Sequence, residues 1–232
     1  MERQWRAASC AKEPWTVNWL RDAVGPGDVL YDIGANVGAF SLVAAKHCGA
    51  HVVAFEPGYS SFARLCENIQ LNGCQHAIVP VPLPLADTSG MVGFKYRSVD
   101  PGQSRHRLKP AAWRFRRTSP AEGRYEQPVL AIPLDDAVSR FRLPPPNHLK
   151  VDVDGAEDRV LAGARRTLRS RTLRTVLIEV DRANWTHVAT LLEDAGLVLH
   201  QRFEREKKKE GAPLYGLFTR PPRQWWTPWR RT

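Results

Sequence analysis

The stretch VLYDIGANVGAF, residues 29–40, decides the fold class. A run of apolar residues ends in Asp32, and glycines follow at Gly34 and Gly38 with Asn36 between them. This pattern predicts a buried strand, a tight turn and then a helix that ends at Gly49. Glycine at the end of a strand lets the chain turn sharply and approach a ligand without a Cβ in the way. The stretch therefore predicts a turn that binds a ligand.

Strand and helix patterns alternate along most of the remaining chain. Strands are predicted at HVVAFEP, AIVPVPL, HLKVDVDG and TVLIEVD, and AEDRVLAGARRTLRS is predicted to form one helix. MVGFKYRS and VLAIP read as further strands, and LVLHQRF and LYGLFTR as an antiparallel pair that closes the chain. The alternation predicts an α/β fold with a doubly wound, mostly parallel seven-stranded sheet and an antiparallel final strand.

Composition divides the 232 residues into three predicted parts. Residues 1–28 form an N-terminal helical extension, 29–220 a ligand-binding domain, and 221–232 a tail with three tryptophans and three arginines. Residues 97–127 are predicted to be a basic insertion, either a solvated lid or a contact for an anion. The tail suits docking onto the domain, a membrane interface or single-stranded nucleic acid.

Charge and cysteine usage narrow the class of protein. The net charge of +10 and a pI of about 9.8 indicate an anionic partner, such as nucleic acid, a membrane surface or a phosphorylated substrate. No secretory signal is predicted, and no stretch approaches the roughly 20 apolar residues of a membrane span. The four cysteines, which form no CxxC pair, predict reduced, mostly buried thiols and a cytoplasmic location: Cys10, Cys48, Cys66 and Cys74.

Two acids at neighbouring strand ends indicate the ligand. The loop reads GANVG, with Asp32 two residues before its first glycine, which differs from the GxGxxG spacing of dinucleotide sites. A carboxylate at Asp32 suits a ligand ammonium, and Glu56 at the next strand end suits ribose hydroxyls. Together they predict S-adenosylmethionine (SAM). The predicted cofactor-binding residues are Asp32, Gly34, Asn36, Gly38, Glu56, Pro57, Asp152 and, at the adenine amino group, Asp87.

Several further segments make the chain resemble the FkbM family of SAM-dependent methyltransferases over residues 29–181. They are YDIGANVGAFSLVAA, AFEPGYSSFARLCENIQLNG, PLADTSG, IPLDDAV, LKVDVDGAEDRVLAGARRTL and VLIEVD, in the family's order. The family usually has glutamate where this chain has Asp154, so the carboxylate here is one methylene shorter. The resemblance implies an O-methyltransferase that acts on a hydroxyl of a sugar, glycolipid or secondary metabolite.

The acids of DVDGAE are the predicted catalytic residues: Asp152, Asp154 and Glu157. Three interpretations stay open. Glu157 is a charge at a helix N-terminus; or the acids bind the methionine end of SAM or the substrate, one acting as general base; or two of them hold Mg²⁺. Glu179 and Asp181, at the next strand end, are predicted to face the same crevice.

Other functions compete with this prediction. A ribose methyltransferase acting on nucleic acid agrees with the basic charge, and peripheral membrane contact agrees with the tail. A SAM-binding interaction protein without turnover is a third hypothesis. A nicotinamide oxidoreductase is disfavoured by the spacing of the glycine loop.

Overall fold

The computed structural model describes residues 10–96, 98, 100–102, 107–109, 126–205 and 212–221. A seven-stranded sheet forms its centre, made of β1 (Val29–Ile33), β2 (His51–Phe55), β3 (Ile78–Val81), β7 (His148–Val151), β8 (Thr175–Val180), β9 (Val198–Phe203) and β10 (Leu214–Thr219). The strand order is β3-β2-β1-β7-β8-β10-β9. β10 runs antiparallel to β8 and β9, and β1, β2, β3, β7 and β8 run parallel. The predicted fold class and antiparallel final strand are confirmed.

Helices cover both faces of this sheet. They are α1 (Pro14–Ala23), α2 (Ala39–His47), α3 (Tyr59–Leu71), α4 (Leu134–Arg140), α5 (Glu157–Ala162), α6 (Arg165–Arg169) and α7 (Trp185–Asp194), with a 3₁₀ turn at Arg182–Asn184. The single helix predicted after DVDG is wrong, because α5 and α6 are separate. The chain between them passes against the Ala86 carbonyl, where a Cβ on Gly163 would lie 2.1 Å from that oxygen.

A second, three-stranded antiparallel sheet was not predicted as a separate unit. It consists of β4 (Gly90–Lys95), β5 (Arg107–Lys109) and β6 (Glu126–Ala131) in the order β5-β4-β6. Its apolar face buries Val92, Phe94, Tyr96 and Val129. Most of the basic insertion at 97–127 lies outside the described residues, and so does all but the first residue of the tail at 221–232.

The two faces of the central sheet bury two apolar cores because strand residues alternate between them. On β1, Tyr31 and Ile33 join the core that includes α4, α5 and α7. Leu30, pointing the other way, joins the core with α1, α2 and α3. Asp32 lies on the same face as Leu30, so its carboxylate is carried into this second core with 1% exposure.

The segment before β1 is bound to the domain. The indole N–H of Trp19 on α1 donates to Thr175 Oγ1 at 3.0 Å, and His148 Nδ1 lies 2.7 Å from the same oxygen. Trp15 stacks on Phe203, with ring centroids 5.8 Å apart. The Trp19 contacts lie at the amino ends of β7 and β8, and the Trp15 contact lies at the carboxyl end of β9, so α1 is fixed to the domain at both ends of these strands.

All four cysteines are free thiols, and the prediction of burial holds for Cys48 and Cys74 only, since Cys10 and Cys66 are half-buried. Among the described residues, no helix has the length and apolar character needed to cross a membrane.

Candidate active site

The loop after β1 has a backbone that only glycine tolerates well. Gly34 and Gly38 both have φ of +84°, in the left-handed region. A Cβ on Gly34 would lie 1.9 Å from the Asp152 carbonyl oxygen, and one on Gly38 would lie 2.4 Å from Leu65 Cδ1. The absence of a side chain at Gly34 therefore allows the loop after β1 to pack closely against the end of β7.

Glu56 at the end of β2 is fixed by the backbone of two loops. Its Oε2 accepts from the Asn36 N–H at 2.8 Å, and its Oε1 accepts from the Gly58 N–H at 2.7 Å. Burial raises the pKa of Glu56 to about 7, although both backbone bonds lower it. Carboxylate oxygens have further lone pairs, so the group can still accept from ligand hydroxyls.

A cavity opens at the carboxyl ends of β1, β2 and β7, where doubly wound folds bind ligands. Its apolar wall was not predicted, and it brings Phe94 and Leu108 from the second sheet over the site. The lining residues are Ile33, Gly34, Asn36, Phe55, Glu56, Pro57, Leu83, Pro84, Leu85, Phe94, Leu108, Asp152, Val153, Asp154 and Ala156.

Six of the predicted site residues line this cavity: Gly34, Asn36, Glu56, Pro57, Asp152 and Asp154. Four others contact neighbouring protein groups and are not among the lining residues: Asp32, Gly38, Asp87 and Glu157. Asp87 receives two hydrogen bonds from the Arg159 guanidinium, at 2.9 and 2.7 Å, on the surface. The Arg159 cation holds the pKa of Asp87 below its usual range despite the cost of burial.

Asp32 points away from the cavity. Its Oδ2 accepts from the Ser41 hydroxyl at 2.6 Å, and its Oδ1 lies 3.6 Å from Lys150 Nζ. Lys150 Nζ also lies 3.3 Å from Asp152 Oδ2. Burial lowers the pKa of Lys150, but Asp152, Asp32 and a third nearby acid, Glu13, outweigh that effect and hold it above its usual value.

The turn formed by DVDGAE explains why an aspartate stands at position 154, where the family usually has glutamate. Asp154 has a φ of +57°, in the left-handed region that aspartate tolerates better than most side chains. Glu157 is the first residue of α5 and is buried, with its Oε1 accepting from the Gly155 N–H at 2.9 Å. Burial, with smaller contributions from Asp152 and Asp181, raises the pKa of Glu157 to about 7.

Beyond the Asp152 wall lies an acidic cluster of Glu13, Asp152 and Glu179, whose carboxylate oxygens are within 4.8 Å of one another. Side-chain cations already approach each member. Arg205 lies 2.8 Å from Glu13 Oε1 and 3.7 Å from Glu179 Oε2, and Lys150 approaches Asp152. Arg205 and Lys150 therefore already balance part of the negative charge of this cluster, and Mg²⁺ at the acids of DVDGAE stays a prediction.

Glu179 has the most perturbed carboxyl group of the cluster. Burial raises its pKa to about 8, with a further contribution from the charge of Asp152, while Tyr215 and Arg205 lower it. The Arg205 guanidinium also donates to the Tyr215 hydroxyl. Glu13, Arg205 and Tyr215 escaped sequence reasoning because they lie far from any motif. Lys150 carried a signal, as a charged residue inside an apolar strand.

This site geometry agrees with what the chain matches among known proteins. The methyltransferase FkbM domain matches residues 32–200. The chain belongs to the FkbM methyltransferase family. It is a SAM-dependent methyltransferase, as the resemblance of its motifs implied.

Two relatives of this chain are named for their substrates. The hexuronic acid methyltransferase AglP of Haloferax volcanii is 28% identical over 180 residues, covering 78% of this chain and 67% of AglP. The 31-O-demethyl-FK506 methyltransferase FkbM of Streptomyces tacrolimicus is 29% identical over 177 residues, covering 67% of this chain and 66% of that protein.

Solved structures agree with the fold. Magnesium protoporphyrin IX methyltransferase from Synechocystis PCC 6803, solved with bound SAM, superposes with a TM-score of 0.54 at 12% identity. The match covers 90% of this chain and 77% of the other.

Proposed function

We propose that this enzyme transfers the methyl group of SAM to a hydroxyl of a sugar, glycolipid or secondary metabolite. The observation that carries the proposal is the acidic cluster just beyond the Asp152 wall of the cavity. A hydroxyl nucleophile must lose its proton as it reacts, so it needs an acceptor nearby. The names of the two relatives support this substrate class, since they specify a hexuronic acid and a 31-O-demethyl compound.

The cavity residues divide the binding of SAM between them. Glu56 accepts hydrogen bonds from the ribose hydroxyls, the loop at Gly34 lets the backbone approach, and Asp152 takes the methionine ammonium. When bound, SAM supplies a sulfonium methyl group whose transfer breaks an S–C bond, forms an O–C bond and leaves a neutral thioether. Asp154 lines the same wall and contacts the acceptor at the reacting end.

Glu179 takes the proton that the hydroxyl loses. Its pKa of about 8 lies near the working pH, where a general base is most effective. Glu157 is a poorer acceptor, because it is only 3% exposed. The side chain of Glu179 is 16% exposed and lies next to Asp152 in the cluster.

The test is a screen with SAM that carries a deuterated methyl group. Separate pools contain neutral sugars and glycolipids, uronic acids, hydroxylated secondary metabolites and RNA. We expect a labelled product from one of the first three pools, with the methyl group placed on oxygen by NMR. Label on nitrogen or carbon would contradict the proposal.

A matched pair of variants tests the role of Glu179. Glu179→Gln keeps the shape of the side chain but removes its capacity to take a proton, so we expect turnover to fall by about 100-fold or more. Affinity for S-adenosylhomocysteine (SAH) should stay within about twofold, by calorimetry. Glu193→Gln, on the exposed surface of α7, serves as the control with wild-type turnover. Turnover retained by Glu179→Gln would exclude it as the base.

A ribose methyltransferase is the second candidate, favoured by the net charge of +10. The acidic cluster and Asp154 disfavour this candidate, because their carboxylates would repel the phosphates of a nucleic acid at the reacting end. Label in the RNA pool alone, lost as salt rises, would establish this alternative.

A further inference from the structure

We propose that Lys150 is a positioning residue of the SAM site. Its buried ammonium holds the Asp152 carboxylate at the cavity wall and balances the charge of Asp32 behind it. The inference deepens the proposed binding of SAM and does not depend on which acceptor receives the methyl group.

The position of Lys150 follows from the register of the sheet. It lies in β7 directly opposite Asp32 in β1, and both side chains enter the core on the α2 side. Lys150 Nζ lies 3.3 Å from Asp152 Oδ2, 3.6 Å from Asp32 Oδ1 and 5.1 Å from the centre of the Phe40 ring. Carboxylates and an aromatic face therefore surround one ammonium that is cut off from solvent.

A lysine in this place is costly unless it is paired. Its neighbours in the strand, Leu149 and Val151, are at most 1% exposed, and Lys150 is 4% exposed. An isolated buried ammonium loses its hydration without compensation, and a buried carboxylate does likewise. Removing one member of such a group leaves the charges of the others uncompensated. Lys150 therefore compensates the negative charges of both aspartates.

The two aspartates have different relations to the cavity. Asp32 is 1% exposed, accepts a hydrogen bond from Ser41 and is not among the residues that line the cavity. Its negative charge therefore compensates the ammonium of Lys150. Asp152 lines the cavity, and its side chain is 29% exposed. The ammonium thus holds one oxygen of Asp152 in place at the wall where a cationic ligand group binds. Asp152 is the carboxylate through which Lys150 acts on the cofactor.

A double-mutant cycle measured by SAH calorimetry tests this. We expect Lys150→Met and Asp152→Asn each to weaken SAH binding about tenfold or more, a loss typical of a charged hydrogen bond. The double variant should bind no more weakly than Asp152→Asn, because Lys150 acts through Asp152. Lys46→Met, which removes an exposed lysine from α2, controls for the lost charge and should bind SAH as the wild type does.

Thermal unfolding of each variant separates positioning from stability. If Lys150→Met does not fold, Lys150→Arg keeps the charge but places a planar guanidinium in the space of an ammonium, so SAH affinity should fall in a folded protein. Wild-type affinity in a folded Lys150 variant would overturn the proposal. So would losses that multiply in the double variant, because Lys150 and Asp152 would then act independently.

Discussion

The two sides of the crevice are built differently. The cofactor side is held by backbone N–H groups close in sequence, as Asn36 and Gly58 bind the two oxygens of Glu56. The acidic cluster is held by side chains from distant segments, and the Arg205–Glu13 contact spans 192 residues. The cofactor side therefore depends on backbone shape, whereas the acidic cluster depends on charge balance. Changes of shape should damage the first most, and changes of pH the second.

The largest effect is expected from Gly34→Ala. The new Cβ would meet the Asp152 carbonyl at 1.9 Å in a left-handed backbone, so the loop or β7 must move. We expect SAH affinity to fall by at least about 100-fold and the free energy of unfolding to drop by about 1–3 kcal/mol. Gly73→Ala is the control, because its φ is +65° but a Cβ there has nothing within 4 Å. By calorimetry, Gly73→Ala should keep its SAH affinity and lose only stability. If both variants lost the same affinity, the left-handed backbone would be the cause and not the contact of the new Cβ with Asp152.

A smaller effect is expected from Glu56→Gln. The amide keeps the size of the side chain but replaces one of the two oxygens that accept from Asn36 and Gly58. We expect SAH affinity to weaken about tenfold to 100-fold, the range for a hydrogen bond to a charged group. The exposed Glu67→Gln serves as control in the same calorimetric series. Unchanged affinity in Glu56→Gln would remove the ribose contact from the site.

The pH dependence of stability tests the buried glutamates on both sides of the crevice. Glu56, Glu157 and Glu179 have folded pKa values of about 7, 7 and 8, above the ordinary glutamate value. The folded state thus binds protons more tightly, and the free energy of unfolding should fall as pH rises from about 5 to 8. His148, whose pKa burial lowers, works in the opposite direction but is a single group. Urea unfolding measures the slope, which Glu179→Gln should reduce; stability that rises over this window would contradict the assignment.

The smallest effect is expected from Asp87→Ala. This change removes a surface ion pair with Arg159, and such pairs contribute about 0–1 kcal/mol. Thermal unfolding should register that small loss, and SAH affinity should change less than in Gly34→Ala or Glu56→Gln. A tenfold loss of affinity would instead restore the adenine contact predicted from the sequence.

The parts that sequence predicts here are those governed by local pattern. Alternation gave the order of strands and helices, and the glycine spacing with Glu56 gave the cofactor. The split between α5 and α6 was missed because it depends on the Ala86 carbonyl, which packs against Gly163. The second sheet was missed for a related reason, since an apolar strand pattern does not say which strands will pair.

The charged half of the site could not be predicted in the same way. Glu13, Arg205 and Tyr215 are brought together by α1 and the last strands, and nothing in their neighbourhood in sequence marks them. Asp32 was predicted to face the ligand because strand ends lie at the crevice. Its actual neighbour is Lys150, and only the register of β1 with β7 reveals that pairing.

The position of β10 has a consequence for how the chain is made. Among the strands of the described residues, β10 comes last in sequence, yet it lies between β8 and β9. β9 therefore leaves the ribosome before the strand that connects it to the sheet exists. Its exposed backbone edge must wait for residues 214–219, so an arrest of synthesis after β9 would leave a nascent chain that is prone to associate with others.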